Sequence, residues 1–194
     1  QVRPADLMDQ PYLLVTPGGG GDGEALVDWV LSAYESDPTL PHSALVVFGP
    51  FMASKSRQSF AERIQKLDRV KAITFNPGFE SLMAAAKGVV AMGGYNTFCE
   101  ILSFDRPALL VPRTVPRREQ LIRAEQVSRL GLAQLLGDDG NRDPRLMGEA
   151  LRALGNQPKP SAVKIPGLLR GLDVIDGLAT ALMERAAEPI RTIV

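Results

Sequence analysis

"TPGGGGDGEAL", residues 16–26, decides how the rest of the chain is read. The apolar run just before it, residues 12–15, reads as a strand, and residues 24–35 space their apolar side chains as a helix does. Four glycines in a row, an aspartate and a fifth glycine are poor core material. Their use is bare backbone, which can turn tightly and bring amides close to an anion at the positive end of a helix. A turn that only lets a helix pack closely on a sheet would have the same composition, and the loop alone does not separate the two.

Outward from the loop, short β-branched runs alternate with longer helical patterns. Strands are expected at residues 12–15, 44–48, 70–75, 88–92, 108–111 and 132–136. Helices are expected at about 24–35, 55–67, 79–86, 96–103, 118–130 and 144–154. The strands are apolar throughout, as when both faces of a sheet are covered. Strand–helix alternation then implies an α/β, doubly wound, Rossmann-like parallel sheet over residues 12–154. Residues 155–167 hold three prolines and read as a linker. Beyond it, Leu168, Leu172, Ile175, Ala179 and Leu182 mark a C-terminal helix expected to pack on the domain.

Composition narrows the function. Twenty-two basic and 22 acidic residues in 194 leave no net charge, which argues against broad nucleic-acid binding. The single cysteine, Cys99, excludes an internal disulfide framework and suits a reducing, cytoplasmic compartment. One histidine and one cysteine make no zinc site, and no G-x-S-x-G elbow supports a serine hydrolase. His42 falls at the amino end of the expected sheet, away from any ligand edge, while Cys99 and Trp29 read as packing residues. Gly18, Gly20 and Gly23 formally match the dinucleotide fingerprint, but the second strand ends Phe48-Gly49-Pro50 without the acidic residue a ribose needs there. No Gly-Lys-Ser/Thr follows, so the loop is not a P-loop.

A second glycine turn carries more. "AMGGYNTFCEILSFDRPALLVP", residues 91–112, repeats the strand, glycine turn and helix. Asn96 and Glu100 are four apart on one helix face. Glu100 stands roughly 6 Å along the axis from the amides at the helix start, about the distance from a diphosphate to its ribose. A carboxylate there can accept from two vicinal hydroxyls, or it can be an ordinary solvated helix residue.

On these residues the chain resembles the MurG-like glycosyltransferases of family 28, in their C-terminal, donor-binding half of the GT-B fold. Their pattern S/G-G-x-x-T-x-x-E, proline, apolar strand, proline is met by Gly93, Gly94, Thr97, Glu100, Pro107 and Pro112. Gly19, Gly20, Gly21, Asp22 and Gly23 resemble the family's G-G-x-x-G loop, and Phe75 its aromatic before a helix reading M-A-A-A. "RREQLIRAEQVSRLGL" resembles its D-x-Q-x-x-N-A segment. The match runs over most of residues 12–136.

The resemblance implies roles. Glu100 would take the ribose hydroxyls, while Gly93, Gly94 and Thr97 would surround phosphate, with Asn96 a further donor-binding candidate. Residues 19–23 would face diphosphate and sugar across the cleft, and Phe75 and Asn76 would border the base. Gln120, with Glu119, would meet sugar hydroxyls. Residues 1–11 would end an interdomain linker, with Arg3 a candidate phosphate contact. Gly93 replaces a common serine or threonine, and Glu119 stands where the family is more often basic, so the sugar stays open. Arg113, Arg117 and Arg118 either complement phosphate charge or form a solvated loop.

The expected protein is therefore a hexosyltransferase moving a sugar from a nucleoside diphosphate, UDP by preference, to an acceptor hydroxyl. No Asp-x-Asp motif is present, so no metal and no cofactor are expected. The chain begins with Gln rather than Met, which points to a longer protein whose N-terminal acceptor domain carries the catalytic base. This chain alone would bind donor and transfer nothing, and any membrane contact would run through the missing half. Two alternatives stand beside this: a nucleotide-sugar 2-epimerase, and the non-catalytic donor-binding subunit of a split transferase.

Overall fold

A computed structural model describes residues 3–19, 21–168 and 170–187. It holds two compact units, Gln1–Val163 and Lys164–Val194. The first contains β1 (Tyr12–Thr16), α2 (Glu24–Ser36), β2 (Ser43–Val47), α3 (Ser54–Ile64), β3 (Val70–Ile73) and α4 (Phe79–Ala85). It continues with β4 (Gly88–Ala91), α5 (Tyr95–Ser103), β5 (Ala108–Leu110), α6 (Glu119–Arg129), β6 (Gln134–Leu135) and α7 (Pro144–Leu154). A four-residue helix, α1 (Pro4–Leu7), precedes β1 within the stretch read as linker.

Six strands form one sheet in the order β3-β2-β1-β4-β5-β6, and every pairing is parallel. Leu14 sits in register with Leu45 on one side and Val89 on the other. β1 and β4 are neighbours that lead to opposite halves of the sheet, so the strand order reverses between them. A ligand crevice opens at such a point, beyond the carboxyl ends of the strands. Both glycine turns follow these two strands, which puts them on the same edge.

The apolar strands are apolar because each face is covered. Successive side chains alternate across the sheet. Leu13 and Val15 join a cluster with Trp29 and Val30 of α2, Phe60 of α3 and Met147, Leu151 and Leu154 of α7. Tyr12 and Leu14 face the other way, where the Tyr12 hydroxyl donates to the Leu82 carbonyl of α4 at 2.7 Å. Ile101, Leu102, Ala124 and Val127 are buried outside the first cluster and supply α5 and α6 to that second face. Trp29 is a core residue at 1% exposure, and its indole N–H donates to the Asp143 carbonyl at 2.9 Å, tying α2 to the start of α7.

The sequence reading placed every strand, with ends that shift by a residue or two. β3 stops at Ile73, so Thr74 and Phe75 have left the sheet, and β6 is only two residues long. Both are outer strands, where fewer neighbours hold the backbone extended. Part of the proline-rich stretch belongs to the first unit: Pro160–Ala162 forms a 3-10 turn, and Ser161 donates its N–H and hydroxyl to Asp105 at 2.8 and 2.9 Å. In the second unit α8 (Gly171–Ala187) carries Leu172, Ile175, Leu178 and Leu182, all exposed. Among the described residues no helix is long and apolar enough to cross a membrane.

Candidate functional site

Between the two glycine turns lies a groove of about 310 Å³. Thr16, Pro17, Gly18, Gly19, Gly21 and Asp22 form one wall; Met92, Gly93, Gly94, Tyr95, Asn96 and Thr97 form the other, and Gln120 closes an end. Eight expected donor-site residues thus meet in one place, although the two turns are some seventy residues apart, roughly the length of two βαβ units. Gly20 lies outside the described residues.

The glycines differ in what they do. A Cβ on Gly23 would lie 2.0 Å from the Pro17 Cβ, so Gly23 is needed for close packing at the start of α2 and does not line the groove. At Gly94 a Cβ would meet nothing within 4 Å, and its φ of −55° suits any residue. Nothing within the fold requires glycine there. Its bareness leaves room for a guest, next to Gly93 whose φ of +79° swings the turn.

The second turn is held from α6. Arg123 donates to the Gly93 carbonyl at 2.8 Å, and its guanidinium lies 5.6 Å from the centre of the Tyr95 ring. With that carbonyl engaged and Gly94 bringing no side-chain cap, the N–H groups of the first turn of α5 have no intrahelical acceptor. They add to the positive end of the helix dipole. On the first turn, the Gly18 N–H donates to the Thr16 hydroxyl at 3.1 Å, which folds the loop back over β1. Phe51, absent from the sequence reading, donates its N–H to the Gly19 carbonyl at 2.9 Å and lays an exposed ring against Gly19.

Glu100 stands one helical turn beyond Asn96 and does not line this groove itself. It is half-buried, and its carboxyl is raised above the ordinary range first by that burial and then by the charge of Glu80 on α4. Glu80 belongs to α4, the element that follows Phe75 and Asn76. Phe75 is exposed, and the buried Asn76 accepts from the Gly78 N–H at 2.8 Å to shape the turn into α4. Glu100, Phe75 and Asn76 do not line the groove.

Of the arginines, Arg117 and Arg118 are exposed, while Arg113 is committed to protein partners. It pairs with Asp22 across the groove and with Glu119 Oε1 at 3.0 Å. Glu119 is exposed beside the groove, its carboxyl held below the ordinary range by its own backbone N–H and by Arg113. Arg3 is not brought to the groove: its guanidinium is spent on Asp6, at 3.1 Å, within α1. His42 precedes β2 at the amino end of the sheet, where burial pushes its pKa down.

A larger cavity, about 730 Å³, lies beside the first turn between α2 and α3. Asp22, Glu24 and Asp28 line it against Lys55 and Arg142. Three carboxylates to two cations make it a poor seat for an anion, so the smaller groove is the better candidate. Among the described residues no group of three or more His, Cys, Asp or Glu could hold a metal ion.

A search of curated proteins gives no match. Among solved structures, glycosyltransferase VinC in complex with dTDP superposes with a TM-score of 0.58 at 19% identity, covering 78% of this chain and 35% of that one. MurG of Acinetobacter baumannii gives 0.54 at 16%, covering 82% and 49%. UDP-GlcNAc 2-epimerase of Neisseria meningitidis gives 0.51 at 15%, covering 79% and 41%. Identities this low establish the shared Rossmann-like half of the GT-B fold and no more. The chain spans less than half the length of each. The family model for the glycosyltransferase family 28 C-terminal domain matches residues 13–163, from the second residue of β1 to the end of the first unit, and the chain belongs to that family.

Proposed function

We propose that this domain binds the nucleoside diphosphate sugar of a glycosyltransferase, with UDP as the preferred nucleotide. One observation carries the reading: two bare turns face each other across the switch point of the sheet, and at Gly94 the fold itself has no use for the missing side chain. The VinC structure, named as a complex with dTDP, supports a nucleoside diphosphate as the class of guest.

In this reading the diphosphate lies between the loop after β1 and the start of α5, where main-chain amides and the helix dipole oppose its charge. Glu100 takes the ribose diol on the side of α4, with Phe75 and Asn76 beside the base. Transfer forms a bond from the acceptor oxygen to the anomeric carbon as the bond to the diphosphate breaks. The amides stabilise the departing charge, and a base outside this chain removes the acceptor proton. Amides and dipole serve in place of a cation, so donor binding is expected to withstand chelators. A 2-epimerase reading gains nothing from the site, because the single histidine, His42, sits at the opposite end of the sheet.

Calorimetry of the chain with UDP, dTDP, ADP and inorganic diphosphate tests this. Binding of UDP, stronger than that of diphosphate alone and lost on blocking Gly94, is expected. No binding of any nucleotide at millimolar concentration would remove the reading.

A further inference from the structure

Asp22 is out of place in an anion site. It is the one charged residue among the described residues that line the groove, and its carboxylate would repel a diphosphate seated there. Arg113 answers that charge. One terminal nitrogen, Nη1, donates to Asp22 from the loop between β5 and α6, and the other, Nη2, donates to Glu119 Oε1 at 3.0 Å. The backbone N–H of Arg113 donates to Gln120 Oε1 at 3.3 Å. Its Nε–H is buried with no acceptor among the described residues, and the side chain as a whole is 27% exposed. One residue thus holds two groove-lining side chains, Asp22 on one wall and Gln120 at the end.

Resting on the reading of the groove as a nucleoside diphosphate site, we propose that Arg113 is a positioning residue that neutralises Asp22 and draws it to the loop between β5 and α6. The amides of the first turn, rather than a carboxylate, then face the diphosphate. Arg113 does not hold phosphate itself, since carboxylates occupy both of its terminal nitrogens. Asp22 serves the fold of the site and is no ligand. Two loops that move independently would leave Asp22 free to turn inward, so the bridge also fixes the width of the groove.

The test is a double-mutant cycle read by calorimetry on the full chain, with UDP and with uridine, at low and at high salt. Arg113→Gln is expected to weaken UDP by about tenfold or more at low salt, which is 1.4 kcal/mol, and to leave uridine unchanged. Asp22→Asn alone is expected to tighten UDP, and Asp22→Asn combined with Arg113→Gln to recover affinity to within about threefold of the parent chain. Arg113→Lys, which keeps the charge without the two-pronged fork, should fall between. Thermal melts establish that each variant is folded; if Arg113→Gln is not, Asp22→Asn and Arg113→Lys decide. Loss of UDP affinity in Arg113→Gln that Asp22→Asn does not restore would make Arg113 a phosphate ligand and overturn the inference. So would loss in Asp22→Asn itself, equal loss for uridine, or no effect of Arg113→Gln. If the unaltered chain binds no UDP, it is the underlying reading of the groove that fails.

Discussion

Removing the Glu100 carboxylate is the perturbation with the best-defined consequence. In the free protein this group is half-buried and lies near Glu80, so its charge is poorly solvated. Two ribose hydroxyls would replace the solvent it lacks. One hydrogen bond to a charged group contributes about 1.5–3 kcal/mol, and a shared diol belongs at the upper end. Glu100→Ala should therefore weaken UDP by about 2–3 kcal/mol, roughly 30- to 150-fold. The assay pairs UDP with 2′-deoxy-UDP. The parent chain should prefer the ribonucleotide, and Glu100→Ala should bind the two alike. Since UDP needs the charged carboxylate, affinity should fall as pH drops toward the carboxylate range, sooner than an ordinary glutamate would cause, and Glu100→Gln should flatten that limb. The folded state holds Glu100 at a raised pKa, so between the unfolded and folded values it binds more protons than the unfolded chain. Its stability contribution thus declines as pH rises through that window, and at neutral pH the charge is a cost. Glu100→Gln should accordingly not lower the melting temperature. A variant that weakens both nucleotides equally, or neither, would refute the assignment of Glu100 to the ribose.

Other outcomes separate site from scaffold. Gly94→Ala should melt like the parent, because its added Cβ meets nothing and its backbone suits alanine, yet it should weaken UDP at least about tenfold by standing where the diphosphate approaches. Gly23→Ala should do the reverse, losing about 1–3 kcal/mol of folding stability in urea titrations from the overlap with Pro17. Trp29→Ala, which empties the buried site between α2 and α7, should cost about 3–5 kcal/mol by the same measurement. Donor binding measured with and without EDTA should agree; a loss with the chelator would mean that a cation shares the diphosphate.

Much of this was legible because it is local. A strand, a glycine turn and a helix each announce themselves within a dozen residues. The parallel order then follows from repetition, which is how the turns after β1 and β4 come to share an edge. The bridge from Arg113 to Asp22 spans 91 positions, and no spacing rule links an arginine after β5 to an aspartate after β1. Phe51 was missed for a like reason: its place against the first turn depends on the Gly19 carbonyl reaching its N–H. The charge of Glu80 acts on Glu100 from another helix, an influence that no spacing within α5 reveals. At the other extreme, α1 is four residues held by the pairing of Arg3 with Asp6, too short for any periodicity to reveal.

A crystal of the domain with UDP gives the most direct measurement. The expected density puts the two phosphates between the turn at residues 18–22 and the start of α5 at Gly94, with the ribose toward Glu100. Density for the diphosphate in the larger cavity, against Lys55 and Arg142, would contradict it.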